Sequence, residues 1–183
     1  MTFYECIKIA WAESCYRDFG EILRGDPKLE QWIADLNRSI RASHRAMEEA
    51  GIREICRSCE KEDGGSCCGK GMERKYDGPL LLINLLLGQD IPKTRQNPRS
   101  CLFLGTQGCL LPARHVICIN YLCAKITDRI NPDSISMLRD KEGQEIEYLF
   151  LVKERILNLL RIHGGRDSPT CSHPQNRKQF ISP

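Results

Sequence analysis

The sequence has no long apolar segment, no strong net charge and no recognisable targeting signal. Its longest apolar run, residues 79–87, is about half of the roughly 18 residues that a membrane span needs, and it contains Asn84. A basic start followed by an apolar stretch is missing at the N-terminus, because Glu5, Lys8 and Glu13 interrupt it. We therefore expect a cytoplasmic protein with no membrane partner and with reduced thiols.

Familiar catalytic and nucleic-acid-binding patterns are also missing. The net charge of +3 is too small for a nucleic-acid footprint, and basic residues are interleaved with acidic ones, so we expect no nucleic-acid partner. The chain contains no glycine-rich nucleotide loop, no His-Glu-x2-His motif and no Ser-His-Asp pattern. No catalytic residue can therefore be named from the sequence.

Cysteine is what the sequence has in abundance. The chain of 183 residues contains 11 cysteines, and most of them fall within one glycine-rich, loop-like region. A single cysteine is usually a small buried side chain, but a cluster of this kind indicates metal ligation. The predicted metal ligands are Cys56, Cys59, Cys67, Cys68, Cys101, Cys109, Cys118 and Cys123.

The remaining cysteines are set aside for separate reasons. Cys15 lies on the apolar stripe of a predicted helix, where a core role is the simpler interpretation. Cys6 lies on the opposite face of the same helix and receives no role. Cys171 and His173 stand in a polar C-terminal tail, where they form at most an incidental pair.

The spacing of the eight cysteines limits how they can share metals. Cys56-x2-Cys59 suits a tight loop that presents two thiolates to one metal. Neighbouring side chains on an extended chain point to opposite faces, so Cys67 and Cys68 are expected to serve different metals or different irons of one cluster. This leaves two four-thiolate sites, or one site with spare cysteines.

The interval from Cys118 to Cys123 leaves a further choice. On a regular helix these two residues would lie about 140° apart around the axis and would not share a face. Either one of them serves a second site, or the segment is not a regular helix.

Soft thiolate ligands favour zinc or iron–sulfur clusters, and the spacing does not select between them. The first hypothesis is an iron–sulfur cluster, of the 4Fe–4S type, or iron, with a redox or iron–sulfur-enzyme role. The alternative is a zinc-stabilised module that presents its helices to a protein partner without catalysis. A third reading is an enzyme without redox chemistry, such as a metal-dependent transferase.

At these residues the sequence resembles the YkgJ-type cysteine-cluster family, described as zinc- or iron-chelating domain proteins. The resemblance covers about residues 56–123 and agrees with the family in the order of the eight cysteines. Besides Cys56-x2-Cys59 and Cys67-Cys68, its motifs are Cys101-Leu102-Phe103-Leu104, Gly108-Cys109 and the segment Arg114-His115-Val116-Ile117-Cys118-Ile119-Asn120-Tyr121-Leu122-Cys123.

The resemblance implies metal chelation and a cysteine-rich core, but no settled reaction. A few relatives resemble iron–sulfur-dependent modifying enzymes, including flagellin lysine methylases. This chain departs from the pattern at His115, where the family usually has proline, at Ile119, which is often arginine, and in a longer gap between Cys59 and Cys67. His115 thereby becomes a possible nitrogen ligand, although a lone histidine beside Arg114 is more often a solvated residue.

The remaining pattern predicts a mainly α fold. Apolar stripes and capping residues indicate helices over residues 2–23, 27–51, 79–87 and 134–162, with Asp26-Pro27 as a helix start and the first two helices as an antiparallel hairpin. Residues 56–78 are predicted to be a loop, in which Glu73, Arg74, Lys75 and Asp77 form a solvated face. We expect one compact domain. Its predicted parts are a hairpin (1–52), a cysteine-rich module (53–130), a C-terminal helix (131–165) and a mobile tail (166–183).

Overall fold

The computed structural model describes residues 3–62 and 67–164, and it confirms the mainly α fold. Seven α-helices, one 3₁₀ helix and one two-stranded antiparallel sheet are present within those ranges. The predicted tail, including Cys171 and His173, lies outside the described residues. The elements are α1 (Phe3–Arg24), α2 (Pro27–Glu49), α3 (Ile52–Glu62), the 3₁₀ helix (Met72–Lys75), α4 (Gly78–Leu86), β1 (Leu104–Gly105), β2 (Gly108–Cys109), α5 (Val116–Asn120), α6 (Ala124–Thr127) and α7 (Pro132–His163).

Local signals place the ends of the long helices, as the sequence predicts. The Asp26 carboxylate accepts a hydrogen bond from the Leu29 N–H at 2.8 Å, and Pro27 begins α2. Asn131 caps α7 in the same way, ahead of Pro132. Beyond the end of α2, Gly51 has a φ of +75°, a backbone conformation that favours glycine.

The helices do not pair in the way that the predicted hairpin implies. The link between α1 and α2 is short, but α2 packs mainly along α7, and α1 packs mainly along α4. The reason is that α4 is apolar on all sides except at Asn84 and is almost entirely buried, so the apolar face of α1 packs against it. Gly78, at the start of α4, lies directly against the ring of Trp11.

The prediction of a loop from residue 56 onwards is wrong for its first part. Helix α3 runs from Ile52 to Glu62 and contains Cys56 and Cys59. Its anchor is Ile52, which is fully buried and packs with Ile126 of α6 and Leu138 of α7 in a small core of its own. Contacts with residues distant in the sequence therefore stabilise this helix, and the composition of residues 56–78 alone does not reveal them.

The main core lies among α1, α2, α4 and α7, with Leu102, Phe103 and Leu111 packed against it from the cysteine-rich region. Within the described ranges, no helix has both the length and the apolar character needed to cross a membrane.

Candidate metal centre

The eight cysteines predicted as ligands all lie in described residues, and all are free thiols. They come from separate segments: α3, the stretch before the 3₁₀ helix, the β1–β2 region, and the segment around α5 and α6. Their mutual effects on one another's pKa values fall mainly within two groups of four, although Cys56 and Cys67 of the first group also raise the pKa of Cys68 in the second. The first thiol group is Cys56, Cys59, Cys67 and Cys123, and the second thiol group is Cys68, Cys101, Cys109 and Cys118.

Helix α3 supplies two members of the first thiol group. Cys56 and Cys59 are three residues apart on a helix and therefore lie on neighbouring positions of one face. Burial raises the pKa of Cys56, and the charges of Cys123, Cys59 and Cys67 raise it further. The expectation that this pair sits in a tight loop is thus wrong, because helical spacing brings the two thiols to the same side.

Cys67 and Cys123 complete the first thiol group. Burial raises the pKa of Cys67, and the neighbouring Cys123 raises it further. Cys123 is the N-cap residue of α6, where its backbone is extended. A helix end therefore presents this thiol to the residues before the 3₁₀ helix.

Backbone pairing begins the second thiol group. The Cys101 N–H donates to the Cys68 carbonyl at 2.7 Å, and Gly69 and Ser100 form an antiparallel bridge beside it. Burial and the charges of Cys118, Cys109, Cys56 and Cys67 raise the pKa of Cys68 to about 12. Burial is also the main cause that raises the pKa of Cys101 to about 12, with the nearby charges of Glu73, Cys109 and Cys68 adding to it.

A short hairpin positions Cys109. In the β1–β2 pair, Leu104 lies opposite Cys109 and Gly105 opposite Gly108, whose φ of +116° is suited to glycine. The Leu110 N–H donates to the Phe103 carbonyl at 2.8 Å and extends the pairing. The Cys109 sulfur lies 3.8 Å from the hydroxyl of Tyr76, which is buried, and desolvation raises the pKa of Cys109.

Asn84 fixes the segment that carries Cys118. This residue is the polar interruption of the apolar run and is fully buried in α4. Its amide nitrogen donates to the Ala113 carbonyl at 2.9 Å, and its amide oxygen accepts from the Ala113 N–H at 3.0 Å. Two residues later, His115 is the N-cap of α5, and its Nδ1 accepts from the Ile117 N–H at 3.2 Å. His115 thus acts as a helix cap in this structure.

The choice left open between Cys118 and Cys123 is decided by the secondary structure. Helix α5 ends at Asn120, so the two cysteines do not share a regular helix. Tyr76 and Cys109 act on the pKa of Cys118, whereas Cys123 acts on the pKa values of Cys67 and Cys56. Both alternatives therefore apply: the segment is irregular, and its two cysteines lie in different groups.

The prediction that the charged residues near Cys67 and Cys68 form a solvated face holds for only some of them. Glu73 is 3% exposed, pairs with Arg95 at 2.8 Å and accepts from the Gly71 N–H. Burial opposes ionisation of Glu73, but Arg95 and the backbone N–H groups outweigh it and lower its pKa to about 2. Asp77 caps α4 through the Leu80 N–H, while Arg74 and Lys75 are exposed. The prediction is therefore wrong for Glu73. Its burial depends on the pair with Arg95, and that partner is too distant in the sequence for a local pattern to reveal it.

The buried guanidinium of Arg114 lies next to the second thiol group. Arg114 is 6% exposed and pairs with Glu145 of α7 at 3.4 Å. One of its nitrogens lies 3.5 Å from the carbonyl of Cys118, and its charge lowers the pKa values of Cys109 and Cys118 against the larger effect of burial. The arginine thus offsets negative charge on these thiols.

The donor set of each group suits a soft metal. Thiolates are soft ligands, and four of them are the usual complement of a structural zinc or an iron–sulfur centre. As the described side chains stand, however, no three of the His, Cys, Asp and Glu residues are arranged to hold one ion. The groups match a metal centre in ligand type and number, and binding would have to draw the thiols together.

Two residues beside the thiols, Tyr76 and Asn84, are not among the site residues that the sequence predicts. Tyr76 is an isolated aromatic in a charged stretch, and nothing local links it to Cys109. Asn84 does carry a signal, because a lone amide in an apolar run must find buried hydrogen-bond partners. Cys15 is fully buried in the main core, as its place on the stripe predicts, but it is disulfide-bonded and is therefore not one of the reduced thiols that the sequence predicts. Cys6 is exposed.

Comparison of the chain with protein-family models, with curated proteins and with solved structures finds no match. The resemblance to the YkgJ-type family therefore stays a prediction from the cysteine motifs.

Proposed function

We propose that this protein binds two neighbouring metal centres, one in each thiol group, and that these centres are iron–sulfur clusters or iron with a redox or iron–sulfur-enzyme role. The observation that carries the proposal is the division of the adjacent Cys67 and Cys68 between the groups. Each thiol group thereby has four cysteines.

The electrostatics of the thiol groups support a bound cation. Neighbouring thiolates repel one another, and this repulsion contributes to the raised pKa values of Cys56, Cys67 and Cys68. A metal cation removes the repulsion and binds the deprotonated form, so metal binding releases protons at neutral pH. A reducing compartment such as the cytoplasm would keep these eight thiols available for a metal, although Cys15 is disulfide-bonded.

Zinc is the second candidate, and the arrangement around α3 favours it. Among the described residues, the core cluster that holds α3 and α6 contains three buried residues, Ile52, Ile126 and Leu138, with partly buried side chains such as Met47 and Ile55 around them. A closed four-thiolate zinc site would stabilise such a region directly. In that case the protein is a zinc-stabilised module for a protein partner.

Metal analysis of the full chain purified without oxygen separates these candidates. We expect iron and acid-labile sulfide in similar amounts, with broad absorption near about 400 nm from thiolate-bound clusters. Two zinc ions per chain without sulfide would instead support the zinc module. A chain that is folded but free of both metals, and that takes up neither on reconstitution, would overturn the proposal.

A further inference from the structure

Tyr76 occupies a fixed place beside the second thiol group. Its side chain is 1% exposed, and its ring meets the ring of Phe103 edge-on, with 4.8 Å between the ring centres. Its carbonyl accepts from the Lys8 ammonium at 2.8 Å, and its N–H donates to the Glu73 carbonyl at 3.2 Å. Both the ring and the backbone of Tyr76 are therefore held in position.

The Tyr76 hydroxyl contacts a sulfur of the second thiol group. It lies 3.8 Å from the Cys109 sulfur, within hydrogen-bonding distance for sulfur, and it also lowers the pKa of Cys118 against the larger effect of burial. A buried hydroxyl requires hydrogen-bond partners, and a thiolate can only accept. When these cysteines are deprotonated, the tyrosine must be the donor.

We propose that Tyr76 is a positioning residue that donates its hydroxyl hydrogen bond to the thiolate of Cys109 and so stabilises the metal centre of the second thiol group. This inference rests on the proposed function and goes beyond it, because it makes the two centres unequal. Hydrogen bonds to ligating sulfurs strengthen metal binding and raise the reduction potential of an iron–sulfur centre.

The first thiol group has a different environment. The side chains that act on the pKa values of Cys56 and Cys67 are other cysteines. The second thiol group has the Tyr76 hydroxyl on one side and the buried Arg114 guanidinium near Cys118 on the other. Both additions stabilise negative charge on the sulfurs, so the second centre should hold its metal longer.

The test uses the full-length, metal-loaded protein and its Tyr76→Phe variant. Phenylalanine keeps the ring that packs on Phe103 and removes only the hydroxyl. Tyr148→Phe is the matched control, because it removes a hydroxyl from the cleft that Asp35, Arg38 and Gln144 line between α2 and α7. Release of the bound metal into excess chromogenic chelator is followed over time, and circular dichroism and thermal unfolding check that each variant folds.

The wild-type protein should release its metal in a fast and a slow phase. Tyr76→Phe should accelerate only the slow phase, by about tenfold, as expected for loss of one hydrogen bond to a charged acceptor. If the centres are iron–sulfur clusters, the reduction potential of one of them should fall as well. Tyr148→Phe should change neither phase.

A second pair of variants assigns the effect to one group. In a chain that also carries Cys56→Ser and Cys67→Ser, Tyr76→Phe should still accelerate release. In a chain that carries Cys109→Ser and Cys118→Ser, it should have no effect.

The two proposals fail in different ways. Bound metal with the same release phases in wild-type and Tyr76→Phe protein would overturn the role of Tyr76 alone. A wild-type protein that binds no metal would overturn the proposed function and this inference with it. Equal acceleration of both phases would also overturn the inference, because it would indicate a general loss of structure.

Discussion

At the scale of single residues, Cys67 and Cys68 have the clearest consequence for function. They are adjacent in the chain, yet, beyond the effect of burial, the pKa of Cys67 is raised by Cys123 and Cys59, whereas the pKa of Cys68 is raised first by Cys118 and Cys109 and less by Cys56 and Cys67. This difference agrees with the sequence argument that neighbouring side chains point to opposite faces, but the assignment of the two residues to different metals stays a prediction. A single peptide unit therefore connects two candidate centres.

Serine substitutions at the two positions should remove different metals. We expect Cys67→Ser and Cys68→Ser each to lose about one of the two centres, since three thiolates and a hydroxyl bind a soft metal weakly. Elemental analysis of both single variants and of the double variant measures this loss. Cys6→Ser, at an exposed cysteine outside both groups, is the control and should retain all of the metal.

If the single variants lost the same metal, so that the double variant retained as much as either, the division into two groups would be wrong.

Glu73 is the residue whose ionisation should matter most for stability near the thiols. Glu73→Gln leaves the Arg95 guanidinium, which is 13% exposed, without its carboxylate partner. Breaking a buried pair in this way should lower the free energy of unfolding by about 3 kcal/mol at neutral pH. Urea unfolding of wild-type and variant protein checks this value.

The pH dependence of that difference follows from the lowered pKa. The ordinary pKa of the carboxyl is 4.5 and the folded value is about 2, so the ionised pair stabilises the fold fully above about pH 4.5. Its contribution is lost as the pH falls towards 2, and the gap between wild type and Glu73→Gln should narrow over that range. Glu54→Gln, which breaks the exposed pair with Arg57, should stay within about 0.5 kcal/mol of wild type at every pH.

At the scale of elements, the packing of α1 on α4 holds one wall of the site. Tyr76 and Asp77 lead directly into α4, and Asn84 within it fixes the segment that carries Cys118. The close approach at the start of α4 depends on Gly78. A Cβ at this position would stand 2.3 Å from Cε3 of Trp11.

Gly78→Ala should therefore destabilise the protein by about 1–3 kcal/mol, because the indole or the helix has to move. Gly143→Ala is the matched control, since Gly143 is an exposed residue inside α7 with open space around its added Cβ. That substitution should stabilise the protein by up to about 1 kcal/mol through helix propensity. Thermal unfolding of both variants measures the difference, and an unfolding midpoint for Gly78→Ala at or above wild type would contradict the packing argument.

At the scale of the whole molecule, two apolar cores of unequal size support the structure. The main core joins α1, α2, α4 and α7, whereas a small core of Ile52, Ile126 and Leu138 joins α3 and α6 to α7. The first thiol group lies on the side of the small core, because Cys56 and Cys59 belong to α3 and Cys123 precedes α6. The metal should therefore matter more for this side than for the rest of the molecule.

Metal removal should loosen the two sides to different degrees. After treatment with a chelator under reducing conditions, hydrogen exchange should increase in residues 52–62 and 116–128, and much less in α4 and the core-facing part of α7. Mass spectrometry of peptides from loaded and stripped protein checks this pattern. A uniform increase across the chain would mean that the metal supports the whole fold, and no increase anywhere would mean that it supports none of it.

The sequence by itself determined the long helices and the set of candidate ligands. Helix formation depends on neighbours three and four residues apart and on caps such as Asp26 and Asn131, so it can be read locally. The tertiary structure decided which helices pair, that α3 forms within a predicted loop, and which four cysteines face one another. These features depend on contacts between distant segments, such as Cys68 with Cys101, Asn84 with Ala113 and Ile52 with Leu138, and no local spacing encodes them.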